Sequence, residues 1–117
     1  MRDFKELKVW HKAHRFVLDV YEKSRSFPAD ERFGLTAHLR KSVTSVPSNI
    51  AEGCGRESER ELARYLSIAA GSASESEYQL LLARDLGYLP PNDHQKLDGQ
   101  VNEIKRMLGS FIRTLSQ

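Results

Sequence analysis

Basic residues at helical spacing are the part of this 117-residue chain best suited to chemistry. Residues 32–51 contain cations but no Asp or Glu, and three further arginines follow at intervals of four. Residues four apart share one face of a helix. Lysine and arginine bind phosphate oxygens without reading base sequence, and such binding weakens as salt rises. The predicted phosphate contacts are Lys41, Arg56, Arg60 and Arg64, followed by Arg40, Lys12 and Lys8.

Nearby acids offer a competing interpretation of the same cations. Three glutamates lie among the arginines of residues 56–64, so this strip can equally be a solvated, mixed-charge surface. Arg40 can form a bidentate pair with Glu75 or Glu77 if their helices pack together. The net charge is only +2, well short of a strongly basic nucleic-acid binder. We therefore expect polyanion binding only if several copies repeat the patch around an axis.

Residues that support catalysis or metal binding are few. His11 and His14 are three apart, but the chain has neither a Glu-x-x-His pair nor a His-Glu-x-x-His motif. Cys54 is the only cysteine, which rules out an intrachain disulfide and a thiolate zinc site. The segment Gly53-Cys54-Gly55 lacks the Gly-Lys-Ser/Thr ending of a phosphate-binding loop, so we interpret it as a helix break. We expect no enzyme activity, no metal and no cofactor.

The N-terminus has no apolar core typical of a signal peptide. No apolar run in the chain is long enough to span a bilayer. From these two features and the single cysteine we expect a cytoplasmic protein that does not bind membranes.

Four amphipathic segments position the cations. Apolar residues recur at steps of three and four, the spacing of a helix with one buried face. The predicted helices cover residues 7–25, 30–53, 58–85 and 92–115. Asp3 and Asp30 are expected to cap the first two helices, and glycine in the left-handed conformation to end the second. Short connections favour antiparallel neighbours, so we predict an all-α, up-down-up-down four-helix bundle formed by residues 1–117 as one domain.

Two sequence features demand a structural explanation. Pro47 lies inside the second predicted helix, where a proline costs about 3 kcal/mol. The third helix contains Ala69-Ala70-Gly71-Ser72-Ala73-Ser74, a run of small residues that lets another backbone approach closely. This run predicts either a tight crossing with a helix of the same chain or a contact between subunits.

The pattern of these residues resembles a known family. The most specific segment is Ser45-Val46-Pro47-Ser48-Asn49-Ile50-Ala51-Glu52-Gly53, followed later by Leu86-Gly87-Tyr88-Leu89. Matching residues extend from Phe4 and Trp10 to Met107-Leu108, so the resemblance covers nearly the whole chain. The chain is identified as a member of the 23S rRNA intervening sequence protein family, also called the S23 ribosomal protein family.

The resemblance implies an assembly as well as a fold. It implies four antiparallel helices in each chain, assembled as a homopentameric barrel with a positively charged surface or channel. A related branch, the accessory variability determinant proteins of diversity-generating retroelements, binds nucleic acid and a reverse transcriptase. We therefore predict a non-catalytic homo-oligomer, expected to be a pentamer, that contacts RNA or DNA phosphates. The alternative is an oligomeric scaffold that docks a protein such as a reverse transcriptase and binds no nucleic acid.

Overall fold

Four long helices pack around a shared apolar centre in a computed structural model that describes residues 1–116. Short 3₁₀ helices at Phe4–Glu6 and Ala29–Glu31 precede the first and second long helices. The long helices are α1 (Lys8–Ser24), α2 (Leu35–Cys54), α3 (Glu59–Asp85) and α4 (Pro91–Leu115). Each helix packs on its neighbours in the chain, and α1 packs on α4, whereas among the described residues no Cα atoms of the diagonal helix pairs approach within 8 Å. The predicted all-α, up-down-up-down bundle is confirmed; the pentamer stays a prediction.

The core consists of the apolar stripes of all four helices. Phe16, Ile50, Leu66 and Leu108 are each essentially inaccessible to solvent and represent the four helices in turn. Burying a side chain of this size contributes about 1.5–3 kcal/mol relative to leaving it exposed. The spacing of three and four residues therefore predicts the inward face of every helix correctly.

The starts of the helices agree only partly with the sequence-based expectations. The Ser58 hydroxyl caps α3 by accepting a hydrogen bond from the Glu61 backbone N–H at 3.1 Å. The Asp3 carboxylate accepts from the Lys5 N–H and so caps the first 3₁₀ helix rather than α1. The prediction that Asp30 caps α2 is wrong, because residues 29–31 form their own 3₁₀ turn. The Glu31 carboxylate takes the capping role, accepting from the Leu35 N–H at 3.0 Å.

The end of α2 is set by close packing. The break lies at Cys54 as expected, but Gly55 is right-handed, with φ −80°. Among the described residues only Gly87 has positive φ. A Cβ on Gly53 would lie 2.9 Å from the Tyr65 Cβ, so glycine is needed there for α2 and α3 to approach each other. Pro47 is buried inside α2, which continues through it to Cys54.

The run of small residues on α3 has two sides. Ala69 and Ala73 are fully buried against the rest of the bundle. Gly71 and Ser74 are exposed, and no heavy atom lies within 4 Å of a Cβ placed on Gly71. The tight crossing within the chain is therefore confirmed for half of this run, and the other half faces away from the molecule.

Candidate nucleic-acid interface

One tyrosine gathers two of the predicted arginines where α2 meets α3. The Arg56 guanidinium donates a hydrogen bond to the Tyr65 hydroxyl at 2.8 Å and lies 5.0 Å from the centroid of its ring. The Arg64 guanidinium lies 5.3 Å from the same centroid. The hydrogen bond with Tyr65 raises the pKa of Arg56 still further above neutrality. Arg56 precedes α3, so Tyr65 rather than helical spacing brings it to Arg64.

Exposed acids accompany the arginines at this end of the bundle. Arg56 pairs with Glu52 at 3.0 Å, and Arg64 lies 3.7 Å from Glu61. Arg60 is exposed and forms no ion pair within residues 1–116. Exposed pairs of this kind contribute only about 0–1 kcal/mol. A phosphate can therefore displace the glutamates at little cost, and at Arg60 there is no glutamate to displace.

Lys41 lies on the same side of the bundle, about 20 Å from the Cys54 end of α2 at 1.5 Å per residue. It lines a groove of about 360 Å³ between α2 and α3 together with His38, Ser45, Ser72 and Glu75. The Ser45 and Ser72 hydroxyls are 2.8 Å apart across this groove. Among the described residues Lys41 has no ion-pair partner within 4.0 Å, so its ammonium group is available to an anion.

The Arg40 guanidinium is bound by other groups of the same chain. Its Nε donates to the Ser24 hydroxyl at 2.9 Å, its Nη2 donates to the Tyr21 carbonyl at 3.3 Å, and the guanidinium stacks on the Tyr21 ring at 4.6 Å. The proposed pairing with Glu75 or Glu77 is wrong. Lys105 from α4 binds Glu77 at 2.8 Å, and this hydrogen bond lowers the pKa of Glu77. Arg40 therefore joins α1 to α2, which leaves it a weak candidate for phosphate.

Lys8 and Lys12 lie on the opposite side of the molecule, in a groove of about 840 Å³ between α1 and α4. Lys12 pairs with Glu103 at 3.2 Å. Arg15 lines the same groove and was not among the predicted contacts, although its spacing from Lys8 and Lys12 places all three on one face. The structure thus separates the predicted cations into an α2–α3 side and an α1–α4 side.

Groups that could hold a metal are dispersed. No cluster of three or more His, Cys, Asp or Glu side chains with suitable placement occurs in the described part of the chain. His11 contacts the Lys5 carbonyl, whereas His14 stacks on Trp10 with 5.0 Å between ring centroids. Cys54 is buried, and burial raises the pKa of its thiol, which disfavours the reactive thiolate.

No helix within residues 1–116 combines the length and apolarity that crossing a membrane requires.

Comparison with known proteins agrees with this fold. The family model described as 23S rRNA-intervening sequence protein matches residues 5–110. A crystal structure of a protein with unknown function from the S23 ribosomal protein family of Bacteroides thetaiotaomicron VPI-5482 superposes with a TM-score of 0.82. The two chains are 24% identical, and the match covers 90% of this chain and 95% of the other. No curated protein matches the chain.

Proposed function

The chain belongs to the 23S rRNA-intervening sequence protein family, and from that premise we propose that an oligomer of it binds RNA or DNA through the phosphate backbone. The family description supports an association with RNA. Binding of this kind requires cations that a phosphate can reach, and it requires no catalytic group. The function proposed is therefore that of a non-catalytic nucleic-acid-binding protein.

The observation that carries the proposal is the cluster of arginines around Tyr65. Two guanidinium groups share one aromatic ring, and the unpaired Arg60 lies one helical turn from Arg64. Guanidinium groups present several donors that match phosphate oxygens, and stacking on a ring holds them in place without neutralising them. Lys41 lies on the same side of the bundle, in the groove between α2 and α3. We propose Lys41, Arg56, Arg60 and Arg64 as the principal contacts, with Lys8, Lys12 and Arg40 as secondary ones.

Self-assembly is part of the proposal. The net charge of one chain is only +2, and acids accompany several of the cations. Copies arranged around an axis repeat each cation and add their potentials, which raises the attraction for a polyanion. The resemblance favours five copies. We propose this homo-oligomer, without a base preference, as the binding species.

Charge reversal on the α2–α3 side tests the proposal. We expect the variant Lys41→Glu/Arg56→Glu to bind a fluorescent single-stranded RNA or DNA at least about tenfold more weakly than the wild type, because each change replaces a phosphate contact by a repulsion. Fluorescence anisotropy at several salt concentrations measures both the affinity and its slope. For the wild type, log affinity should fall linearly as log salt rises, and the variant should show a shallower line.

The matched control is Lys96→Glu/Arg106→Glu. It makes the same change in net charge at two exposed positions on α4, outside the proposed contacts. At physiological salt the screening length is about 8 Å, so these distant charges should change the affinity little. Equal losses of affinity in both variants would show that net charge, rather than the proposed contacts, determines binding. Full affinity in a Lys41→Glu/Arg56→Glu protein of wild-type mass would refute the proposed contacts.

A protein-docking scaffold is the second candidate function. The α1–α4 side favours it, because the apolar side chains of Leu7, Met107 and Phe111 line a shallow groove of about 300 Å³ beside Lys8. A reverse transcriptase is one partner of the expected kind. An absorbance ratio at 260 and 280 nm typical of pure protein, with salt-insensitive capture of a partner, would favour the scaffold over the nucleic-acid binder.

A further inference from the structure

Phe33 is the most exposed large apolar side chain of the described residues after the methionine at position 1. It is 83% exposed and lies in the connection between α1 and α2, directly before α2 begins. Phe27, in the same connection, is buried and packs against Tyr88 with 5.8 Å between ring centroids. The connection therefore already has an aromatic residue that joins it to the core, and packing within the chain gives no reason for the second ring.

The backbone around Phe33 is held in one conformation by Glu31. The Glu31 carboxylate accepts hydrogen bonds from the Leu35 N–H at 3.0 Å and from the Tyr88 hydroxyl at 2.9 Å. The Gly34 N–H donates to the Glu31 carbonyl at 2.9 Å, and a Cβ on Gly34 would lie 2.7 Å from the carboxylate. The glycine thus leaves room for the carboxylate. A ring on an ordered turn loses little conformational freedom when a ligand binds it.

The Phe33 ring is paired with an arginine. The Arg32 guanidinium lies 5.2 Å from the centroid of the ring, and Arg32 is itself exposed. Within residues 1–116 no acid comes within 4.0 Å of this guanidinium, which leaves its charge unneutralised. Proteins hold unpaired bases by stacking them on aromatic rings and on arginine planes. The exposed part of the ring presents the same kind of surface.

The helix that follows Phe33 supplies cations for the phosphates of such a strand. Residues 32–51 contain no Asp or Glu, and His38 and Lys41 are exposed. Lys41 lies about 9 Å along α2 from Leu35, at 1.5 Å per residue. Stacked nucleotides advance about 3.4 Å each, so a strand with one base on Phe33 reaches Lys41 within about four nucleotides.

Acids near the turn favour a base over a phosphate as the group that contacts it. Asp30 is exposed and repels phosphate, whereas a neutral base is not repelled. The two hydrogen bonds that Glu31 accepts lower its pKa, so this carboxylate is also charged at neutral pH. Glu75 lines the groove of Lys41 but lies more than 4.0 Å from its ammonium group. The phosphates are therefore directed from the turn towards α2.

The surroundings of Phe33 do not suit an apolar partner. Apolar surfaces that dock proteins are contiguous patches of a few hundred Å² or more. Phe33 instead follows the charged Arg32 and precedes Gly34, which has no side chain, and Asp30 is exposed in the same turn. One ring beside a guanidinium, with cations on the adjacent helix, matches a polyanion that carries aromatic bases.

We infer that Phe33 stacks on a base of a single-stranded RNA or DNA whose phosphates run towards Lys41. This inference rests on the proposed function and specifies its substrate class. Bases inside a duplex are already stacked and paired, so only a single strand can present a free base to the ring. Every base has a π-face, so the contact adds affinity without reading sequence.

Substitutions of Phe33 test the inference. We expect Phe33→Ala to bind a fluorescent single-stranded RNA of about 12 nucleotides at least about fivefold more weakly than the wild type. Phe33→Leu should lose as much, because leucine has no π-face, whereas Phe33→Trp should keep the wild-type affinity. Fluorescence anisotropy measures the affinities. The slope of log affinity against log salt should stay the same, because no phosphate contact is removed.

A strand of the same length without bases separates stacking from any other role of Phe33. It keeps the phosphates, so wild type and Phe33→Ala should bind it equally. A long duplex, in which few bases lie at an end, should also bind both proteins equally. Leu86→Ala is the matched control, because Leu86 is an exposed apolar residue outside this turn, and it should keep the wild-type affinity for the single strand.

Three results would overturn the inference. The first is an equal affinity of wild type and Phe33→Ala for the strand with bases. The second is a loss that persists on the strand without bases. The third is a smaller mass of Phe33→Ala in light scattering coupled to gel filtration, which would assign Phe33 to a contact between copies.

The outcomes also separate this inference from the proposed function. Binding that Phe33→Ala leaves intact and Lys41→Glu/Arg56→Glu weakens would overturn the stacking and leave the function standing. Binding that Phe33→Ala weakens and the charge reversal leaves intact would support the stacking and overturn the proposed phosphate contacts. A wild type that binds no RNA or DNA would overturn both.

Discussion

Tyr65 shows how one side chain can determine the character of a charged surface. Two guanidinium groups at close range repel each other, and the face of an aromatic ring offsets part of that repulsion. Arg56 and Arg64 therefore stay together and remain charged beside Tyr65. The sequence predicts these arginines as a group, but it gives no sign of the tyrosine, because Arg56 reaches it across the α2–α3 turn.

Glu31 is a second side chain whose hydrogen-bond partners the sequence does not reveal. The Leu35 N–H and the Tyr88 hydroxyl both donate to its carboxylate, at 3.0 and 2.9 Å. The link to Tyr88 spans 57 positions, so local spacing cannot reveal it, and the sequence instead suggests the neighbouring Asp30. The expected pairing of Arg40 with Glu75 or Glu77 fails for the same reason, since the apolar pattern does not show that Tyr21 on α1 lies beside Arg40.

The Glu31 contacts predict a pH-dependent contribution to stability. Hydrogen bonds from Leu35 and Tyr88 lower the pKa of Glu31 below its ordinary value of 4.5. A lowered pKa in the folded state stabilises the protein above pH 4.5, and that stabilisation is lost as pH falls through the folded pKa. Thermal unfolding should show Glu31→Gln less stable than wild type at pH 7, with the difference shrinking below pH 4.5.

Asp30→Asn is the control for this measurement, because Asp30 makes no side-chain hydrogen bond in the described structure. Its difference from wild type should stay small throughout the titration. A Glu31→Gln difference that is the same at pH 7 and pH 3 would contradict the assigned role of the carboxylate.

Helices are the scale at which sequence and structure agree best. Apolar spacing predicts four helices and their buried faces, because burial against the common core dominates the choice of face. The ends are predicted less well, as the 3₁₀ turn at Ala29–Glu31 and the right-handed Gly55 show. The ends depend on caps and on close contacts between helices, and the spacing of apolar residues does not predict those contacts.

Gly53 gives a direct test of packing between α2 and α3. A Cβ there would approach the Tyr65 Cβ to 2.9 Å and the Leu62 Cδ1 to 3.0 Å, so Gly53→Ala must push the helices apart. We expect a loss of about 1–3 kcal/mol in the free energy of unfolding. Urea denaturation measures it. Gly55→Ala is the control: its Cβ would lie 3.4 Å from the nearest atom, the Glu52 carbonyl oxygen, so this change should alter stability by less than about 0.5 kcal/mol.

At the scale of the whole molecule, the predicted cations divide between an α2–α3 side and an α1–α4 side. The cations of the α2–α3 side bind phosphate in the proposed function. The sequence predicts that one chain has too little net charge to bind a polyanion alone. It does not predict how the cations divide between the two sides, because that requires knowing which helices pack side by side.

The central claim is that assembly creates the nucleic-acid-binding surface. Its most direct test measures the mass of the wild-type protein by light scattering and its binding to one labelled RNA over a range of chain concentrations, at about 50 and about 200 mM salt. We predict that RNA binds only at concentrations where the mass exceeds that of one 13.4 kDa chain, and that the higher salt weakens this binding steeply. Tight RNA binding by a protein that stays a single 13.4 kDa chain, or an affinity unchanged by salt, would contradict the claim.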